Sequence, residues 1–201
     1  MINRELYMEQ ITPFIDKPFV KVITGIRRCG KSVVLRLIRE ELLRRGVSED
    51  YIIYMNFESF EWIDMKEAKA LYAHIREATK APGKYYILLD EIQEVTDWEK
   101  AVNAFLVDLD VDIYVTGSNS RLLSSEFSTY LAGRYVAFHI MTLSFREYLL
   151  FHDLPLTISV SDRKTEFLKY LRMGGFPAIH TANYDYNAIY KIVYDIYSSV
   201  I

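Results

Sequence analysis

Cysteine is nearly absent from the 201-residue sequence: Cys29 stands alone, so no internal disulfide can form and a reducing compartment is the fitting environment. The opening stretch MINRELYMEQITPFI lacks the apolar core of a secretory signal, and no apolar run approaches the length that spans a bilayer. A soluble, cytoplasmic protein with no membrane partner is the expectation. A basic excess is missing too. With 24 Lys and Arg against 27 Asp and Glu, the formal net charge of −3 gives no global electrostatic footprint for nucleic acid. Repeats, low-complexity tracts and long linkers are likewise absent. What is present is a 51% hydrophobic composition, enough at this length to bury a full core without a staple and to form one domain with a small appendage.

Positive charge gathers locally around Arg27, Arg28, Arg36, Arg39, Arg44 and Arg45. Glu40 precedes Arg44 by four residues and Glu41 precedes Arg45 likewise, which reads as an ion-paired, solvated helix face. The sixteen tyrosines, several in strand-like runs such as YIIYMNF and KYYILLD, could stack on bases but suit half-buried sheet and helix positions better.

The most informative stretch is VITGIRRCGKSVVL, residues 22–35. From Gly25 it fits G-x-x-x-x-G-K-[ST], with Gly30, Lys31 and Ser32 in the fixed places. Glycines let successive N–H groups curl inward, the following helix adds its positive end, Lys31 supplies a point charge and Ser32 offers a hydroxyl to Mg²⁺. The residues expected around a nucleoside triphosphate, with adenine the general expectation for the base, are therefore Gly25, Arg27, Arg28, Cys29, Gly30, Lys31, Ser32 and Val33. Cys29 reads as a small loop residue rather than a nucleophile.

Period and punctuation place strands near 19–24, 51–57 and 84–90, a fourth in VDIYVTG ending at Gly117, and a fifth in RYVAFHI. Helices are predicted near 31–45 and 64–80, in WEKAVNAFLVDL behind a capping box of Thr96 and Glu99, and in SRLLSSEFSTYLAG. Apolar strands alternating with helices require a mostly parallel sheet covered on both faces, a three-layer α/β core. Beyond residue 142 the texture turns helical, so residues 1–142 are expected as the core and 143–201 as a small helical lid. The final YKIVYDIYSSVI stops in mid-pattern, as a fragment of a longer protein would and as a natural end docked on the core would.

In YYILLDEIQ a buried strand leads into Asp90 and Glu91, at the edge where open α/β sheets bind ligands. Asp90 is placed to steer Mg²⁺, and Glu91 to polarise the water that attacks the γ-phosphate. Past the tip of the fourth strand, either Ser118 or Asn119 could act as a neutral donor to the γ-phosphate or the water, or serve as a helix cap. The predicted strand at 51–57 falls between the phosphate-loop strand and the Asp90 strand, so an extra strand can separate them in the sheet. That points to the additional-strand, catalytic-glutamate branch of P-loop ATPases.

Taken together, GIRRCGKSVVL, YMNFE, LLDEIQEVTDWEKAV, YVTGSNSRLLSSE, LAGRY, LSFREYL and MGGFP resemble the bacterial and archaeal AAA-type ATPases of the archaeal-ATPase and STAND-related group, over roughly residues 17–201. The resemblance implies a five-stranded P-loop NTPase core and a helical lid. Lys31 and Ser32 would then hold phosphate and Mg²⁺, Asp90 and Glu91 would form the Walker B pair, and Ser118 or Asn119 would be the polar sensor. It also draws attention to Arg134 in LAGRY, where related ATPases often present an arginine to a neighbouring subunit's γ-phosphate. In MGGFP, Gly174 is expected to end a helix, Gly175 to adopt a left-handed backbone and Pro177 to block continuation, as a hinge or as a plain cap. The resemblance implies a second, possibly nuclease-like domain after the ATPase, which is not expected within these 201 residues and leaves open an effector domain, a protein partner or a homo-oligomer. The expected function is Mg²⁺-dependent ATP hydrolysis driving conformational change, with a slow ATP-binding signalling switch as the alternative.

Overall fold

The computed structural model describes residues 3–117, 131–181 and 185–198. Five apolar strands, β1 (Val20–Thr24), β2 (Ile52–Asn56), β3 (Tyr85–Asp90), β4 (Val111–Gly117) and β5 (Tyr135–His139), form one sheet in the order β2-β3-β4-β1-β5. Every pairing is parallel. Parallel pairing demands crossovers, and those described in this part of the chain carry α2 (Lys31–Arg44), α3 (Ala68–Ala78) and α4 (Trp98–Asp108), preceded by the short α1 (Glu5–Ile11).

The strand period of two sorts the sheet's side chains. Val20, Val22, Ile87, Leu89, Ile113 and Val115 face one core with Leu71 and Ile75 of α3 and Trp98, Val102 and Phe105 of α4. Alternate positions, including Ile23, Leu88 and Tyr114, are buried on the opposite face, where α2 contacts β3 and β4 and contributes the buried Leu35, Ile38 and Leu42. The expected three-layer α/β architecture is present, and β1 and β3 are separated by one strand. That strand is β4; β2, the strand expected between them from chain order, lies at the sheet edge beyond β3. Sheet order is decided by which crossovers pack, which chain order does not encode.

Two local expectations give way, one to a tertiary pairing and one to a neighbouring residue on the same helix. Thr96 does not cap α4: its N–H donates to the Lys66 carbonyl at 2.9 Å and its carbonyl accepts from Ala68 N–H at 3.0 Å, forming a parallel bridge. That leaves Asp97, at φ 58°, to turn the chain into the helix without a side-chain cap. On α2, Arg44 pairs with Glu41 at 2.7 Å rather than with Glu40, and Glu41 also holds Arg45 at 2.8 Å, because one carboxylate spans both the i+3 and i+4 positions.

The chain divides into two compact units. One comprises Glu5–Gly25 and Lys31–His139, the sheet and the helices just described; the other takes Arg4, Ile26–Gly30 and the segment from Ile140 onward. The second unit holds α5 (Phe145–Phe151), α6 (Val160–Met173) and α7 (Tyr186–Ser198). Ser144 and Glu147 close a capping box at the start of α5, and Ser159 accepts from Asp162 N–H at the start of α6.

Tyr148 centres this unit's aromatic cluster, packed against Phe145, His152, Tyr170 and His180, and donates to Glu166 Oε2 at 3.0 Å. Gly174 ends α6 at φ 78°, ψ −177°, a region open only to glycine. Gly175 does not take the left-handed backbone expected of it. Its lack of a Cβ serves close approach instead, since one built there would lie 2.4 Å from the Leu143 carbonyl oxygen, while Leu143 N–H donates to the Gly175 carbonyl at 2.7 Å. Pro177 opens a 3-10 turn, Pro177–His180. Among the described residues no helix is long and apolar enough to cross a membrane.

Candidate active site

The carboxyl edge of the sheet gathers the chemistry. Asp90 is the last residue of β3, fully buried, on the face that also carries Tyr54 of β2 and Thr116 of β4. The register explains the meeting: Leu89 is level with Val115, which brings Thr116 beside Asp90, and Tyr54 is level with Leu88, one pleat back on the same face. Tyr54 donates its hydroxyl to Asp90 Oδ2 at 2.9 Å, and Thr116 donates to Asp90 Oδ1 at 2.5 Å. Burial, the charge of Asp90 and this hydrogen bond push the Tyr54 pKa well above the ordinary tyrosine value, so it remains a donor.

Glu91 turns the chain out of β3 in a left-handed conformation, φ 55° and ψ 48°, unusual for glutamate. Its N–H donates to the same Thr116 hydroxyl at 2.9 Å, so one hydroxyl links both acidic residues. The Glu91 carboxylate takes a hydrogen bond from Gln93 Nε2 at 2.5 Å on Oε2 and faces Lys31 Nζ at 3.5 Å on Oε1. Lys31, first residue of α2 and 4% exposed, also donates to the Gly25 carbonyl at 3.2 Å. The Gln93 Oε1 is buried with no partner among the described residues.

The chain between β1 and α2 contains two left-handed turns, Arg28 at φ 66° and Gly30 at φ 106°. A non-glycine residue held there carries strain of about 1 kcal/mol or more, the kind that clusters at ligand-binding loops. Arg27 and Arg28 are exposed and Cys29 is buried, while Gly30, Ser32 and Val33 are partly buried. The structure therefore brings together Gly25, Lys31, Asp90 and Glu91. Ser118 and Asn119 lie outside the described residues.

Arg134 is not brought to this edge. It precedes Tyr135, which pairs with Val20 at the start of β1, so the length of a five-residue strand, about 16 Å, separates its backbone from the edge where Lys31 begins α2. Its Nη1 donates to Asn103 Oδ1 at 2.9 Å, and it borders an open groove with Asp16, Lys17, Lys84 and Asp110. Sequence reasoning missed Tyr54, Thr116 and Gln93. A threonine or tyrosine inside a strand signals only β-propensity until strand order is known.

The parallel order β2-β3-β4-β1-β5, with a glycine-lysine loop after β1 and an acidic pair at the end of β3, on the far side of β4, defines an α/β P-loop NTPase fold. The chain belongs to the family described as "AAA domain", whose model matches residues 17–149. It is 43% identical over 186 residues to an uncharacterized protein of Haemophilus influenzae, covering 91% of this chain and 46% of that protein. To an uncharacterized protein of Methanocaldococcus jannaschii it is 35% identical over 184 residues, covering 89% and 39%. The chain thus spans less than half the length of these relatives.

Among solved structures, AMPPCP-bound DnaA from Aquifex aeolicus superposes with a TM-score of 0.56 at 15% identity, over 96% of this chain and 62% of that one. Orc1 of Aeropyrum pernix, in complex with DNA, gives 0.52 at 17% identity, over 83% and 50%. The RuvB branch-migration motor of Thermotoga maritima gives 0.50 at 16%, over 87% and 56%. At these identities the likeness is one of fold. Membership of an AAA family nonetheless suggests nucleotide binding and hydrolysis as the general activity.

Proposed function

We propose that the chain binds ATP with Mg²⁺ and hydrolyses it, converting the cycle into conformational change. The observation that carries this reading is the Lys31, Glu91, Asp90 cluster, tied together through Thr116 at the end of a buried parallel strand. In this reading the backbone from Gly25 to Val33 wraps the phosphates, Arg27 and Arg28 add positive field, and Lys31 pairs with phosphate oxygens. The Ser32 hydroxyl and the Asp90 carboxylate are hard oxygen donors, few in number and fit for a Mg²⁺ ion that keeps most of its water. When bound, that ion spreads the charge building on the phosphoryl oxygens.

Glu91 orients the attacking water and accepts its proton. Ser118 or Asn119 supplies a neutral hydrogen bond to the γ-phosphate or the water. Arg134, placed at the sheet's other edge, serves the γ-phosphate of a neighbouring copy in a homo-oligomer. The moved element is an effector region or a protein partner, and a nucleic acid fits a chain of net charge −3 less well.

A slow ATP-binding switch is the second reading. Glu91 is engaged by Lys31 and Gln93, contacts that compete with a water for its carboxylate. Steady-state Mg²⁺-dependent ATP hydrolysis over a range of protein concentrations, beside Glu91→Gln and Lys31→Ala, separates the two. Turnover per chain that rises with concentration and disappears in Glu91→Gln while ATP binding persists supports the ATPase. Retained ATP without turnover supports the switch, and absence of ATP binding in the unsubstituted chain overturns both.

A further inference from the structure

Arg4 is 2% exposed, and its guanidinium is spread over three partners far away in sequence. Nε donates to Glu147 Oε1 at 2.5 Å, Nη2 to the Met141 carbonyl at 2.8 Å and Nη1 to the Cys29 carbonyl at 3.1 Å. Glu147 is itself fixed, because its Oε2 accepts from the N–H and hydroxyl of Ser144 at 2.8 and 2.9 Å. The planar fork of arginine serves three acceptors in set directions, which a lysine ammonium does not do in the same geometry.

The third contact bears on the loop. In a trans peptide the carbonyl of Cys29 and the N–H of Gly30 point in opposite directions, so drawing the carbonyl onto Arg4 turns the Gly30 N–H the other way. Gly30 adds a second link. At φ 106° it shows Arg4 a bare face, where a Cβ would lie 3.2 Å from Nη1. Left to itself, a carbonyl in a loop of this kind could turn inward and repel an anion; the guanidinium holds it out.

We infer that Arg4 is a positioning residue for the phosphate loop, setting the peptide between Cys29 and Gly30 so that the Gly30 N–H is available to a phosphate. It also ties that peptide, through Glu147, to the start of α5. This rests on the ATP-binding reading above. The test compares Arg4→Gln with the unsubstituted chain for the Kd of ATP and of adenosine, measured by displacement of a fluorescent ATP analogue, alongside the melting temperature without nucleotide.

The expected result is an ATP Kd raised about tenfold or more in Arg4→Gln, with the preference for ATP over adenosine shrinking by a similar factor. Arg4→Lys, which keeps the charge beside Glu147 but lacks the fork, falls between, and is the variant read if Arg4→Gln does not fold. A lower melting temperature with an unchanged ATP-to-adenosine preference would mean a purely structural role and overturn the inference. No ATP binding by the unsubstituted chain would instead overturn the proposed function, and the role of Arg4 with it.

Discussion

One face of the sheet carries two buried carboxylates near its opposite ends, and they are held in different ways. Near the amino edge, Asp112 of β4 receives the ammonium of Lys21, itself fully buried in the neighbouring β1, together with the Tyr114 hydroxyl and the Asp16 N–H, each at 2.8 Å. Tyr86 then holds Asp16 at 2.9 Å, and Lys84 approaches the same oxygen at 3.2 Å. Charge there is met by charge. At the carboxyl edge, the side-chain hydrogen-bond partners of Asp90 among the described residues are two hydroxyls, from Tyr54 and Thr116. They fix its orientation and leave its negative charge to be answered by something else. The same strand chemistry thus builds a closed electrostatic unit at one end and an open one at the other, the difference expected if the first is structural and the second is the proposed nucleotide site.

Breaking each end separately tests that contrast. The largest effect on stability is expected from Asp112→Asn, which leaves Lys21 buried without its counter-charge and should cost about 3–5 kcal/mol in urea unfolding. Burial already pulls the Lys21 pKa down against the opposing pull of Asp112, so the strand tolerates the ammonium poorly. Replacing both partners, Lys21→Met with Asp112→Leu, should recover most of the loss; failure to recover would mean that the pair does more than neutralise itself. Thr116→Val removes one hydroxyl that serves both Asp90 and the Glu91 N–H. It should cost about 1–2 kcal/mol in the same assay while lowering the rate of ATP hydrolysis far more than that stability change implies.

The smallest effect is expected in the helical unit. His180 Nε2–H donates to the Gly174 carbonyl at 2.9 Å, and its Nδ1 lies 3.0 Å from His152 Nε2. Burial, the largest influence, holds the His180 pKa below 6.5, with the backbone hydrogen bond to Gly174 opposing it and the charge of His152 adding to it. A base whose folded pKa is depressed binds fewer protons folded than unfolded just below pH 6.5, so stability should fall as pH drops through that window. Hydrogen exchange of α6 and its glycine end at pH 5.5 and 7.5 should show this loss, and a His180→Asn variant should flatten it.

All five strands and the helical character of the second unit can be read from apolar runs and period; the trace is plainest in β1, β3 and β4, buried on both faces, and thinner in the part-buried edge strands β2 and β5. Lys31, Asp90 and Glu91 stand out in the sequence for a different reason, a motif that prescribes residue types at fixed local spacing, and the structure brings the three together. Sheet order is not legible, and with it go Tyr54 and Thr116, which become site residues only when β4 separates β1 from β3. Arg4 leaves no local trace at all, since its partners lie 25, 137 and 143 residues away. The capping box fails as a guide because Thr96 spends its backbone groups on Lys66 and Ala68, a pairing that local sequence does not announce.

The strand order also governs how the molecule is made. β1 leaves the ribosome before the other four strands of its sheet, yet both of its neighbours come late, with Lys21 paired to Tyr114 on one side and Val136 on the other. Roughly ninety to over a hundred residues must be synthesised before either edge of β1 can be closed. Until then a largely apolar strand, broken by Lys21 and Thr24, waits with both rows of backbone groups unpaired. The interval between β1 and β4 is therefore the stretch of synthesis in which both edges of β1 stand open, and a lysine in such a strand works against pairing with another apolar edge until Asp112 meets it.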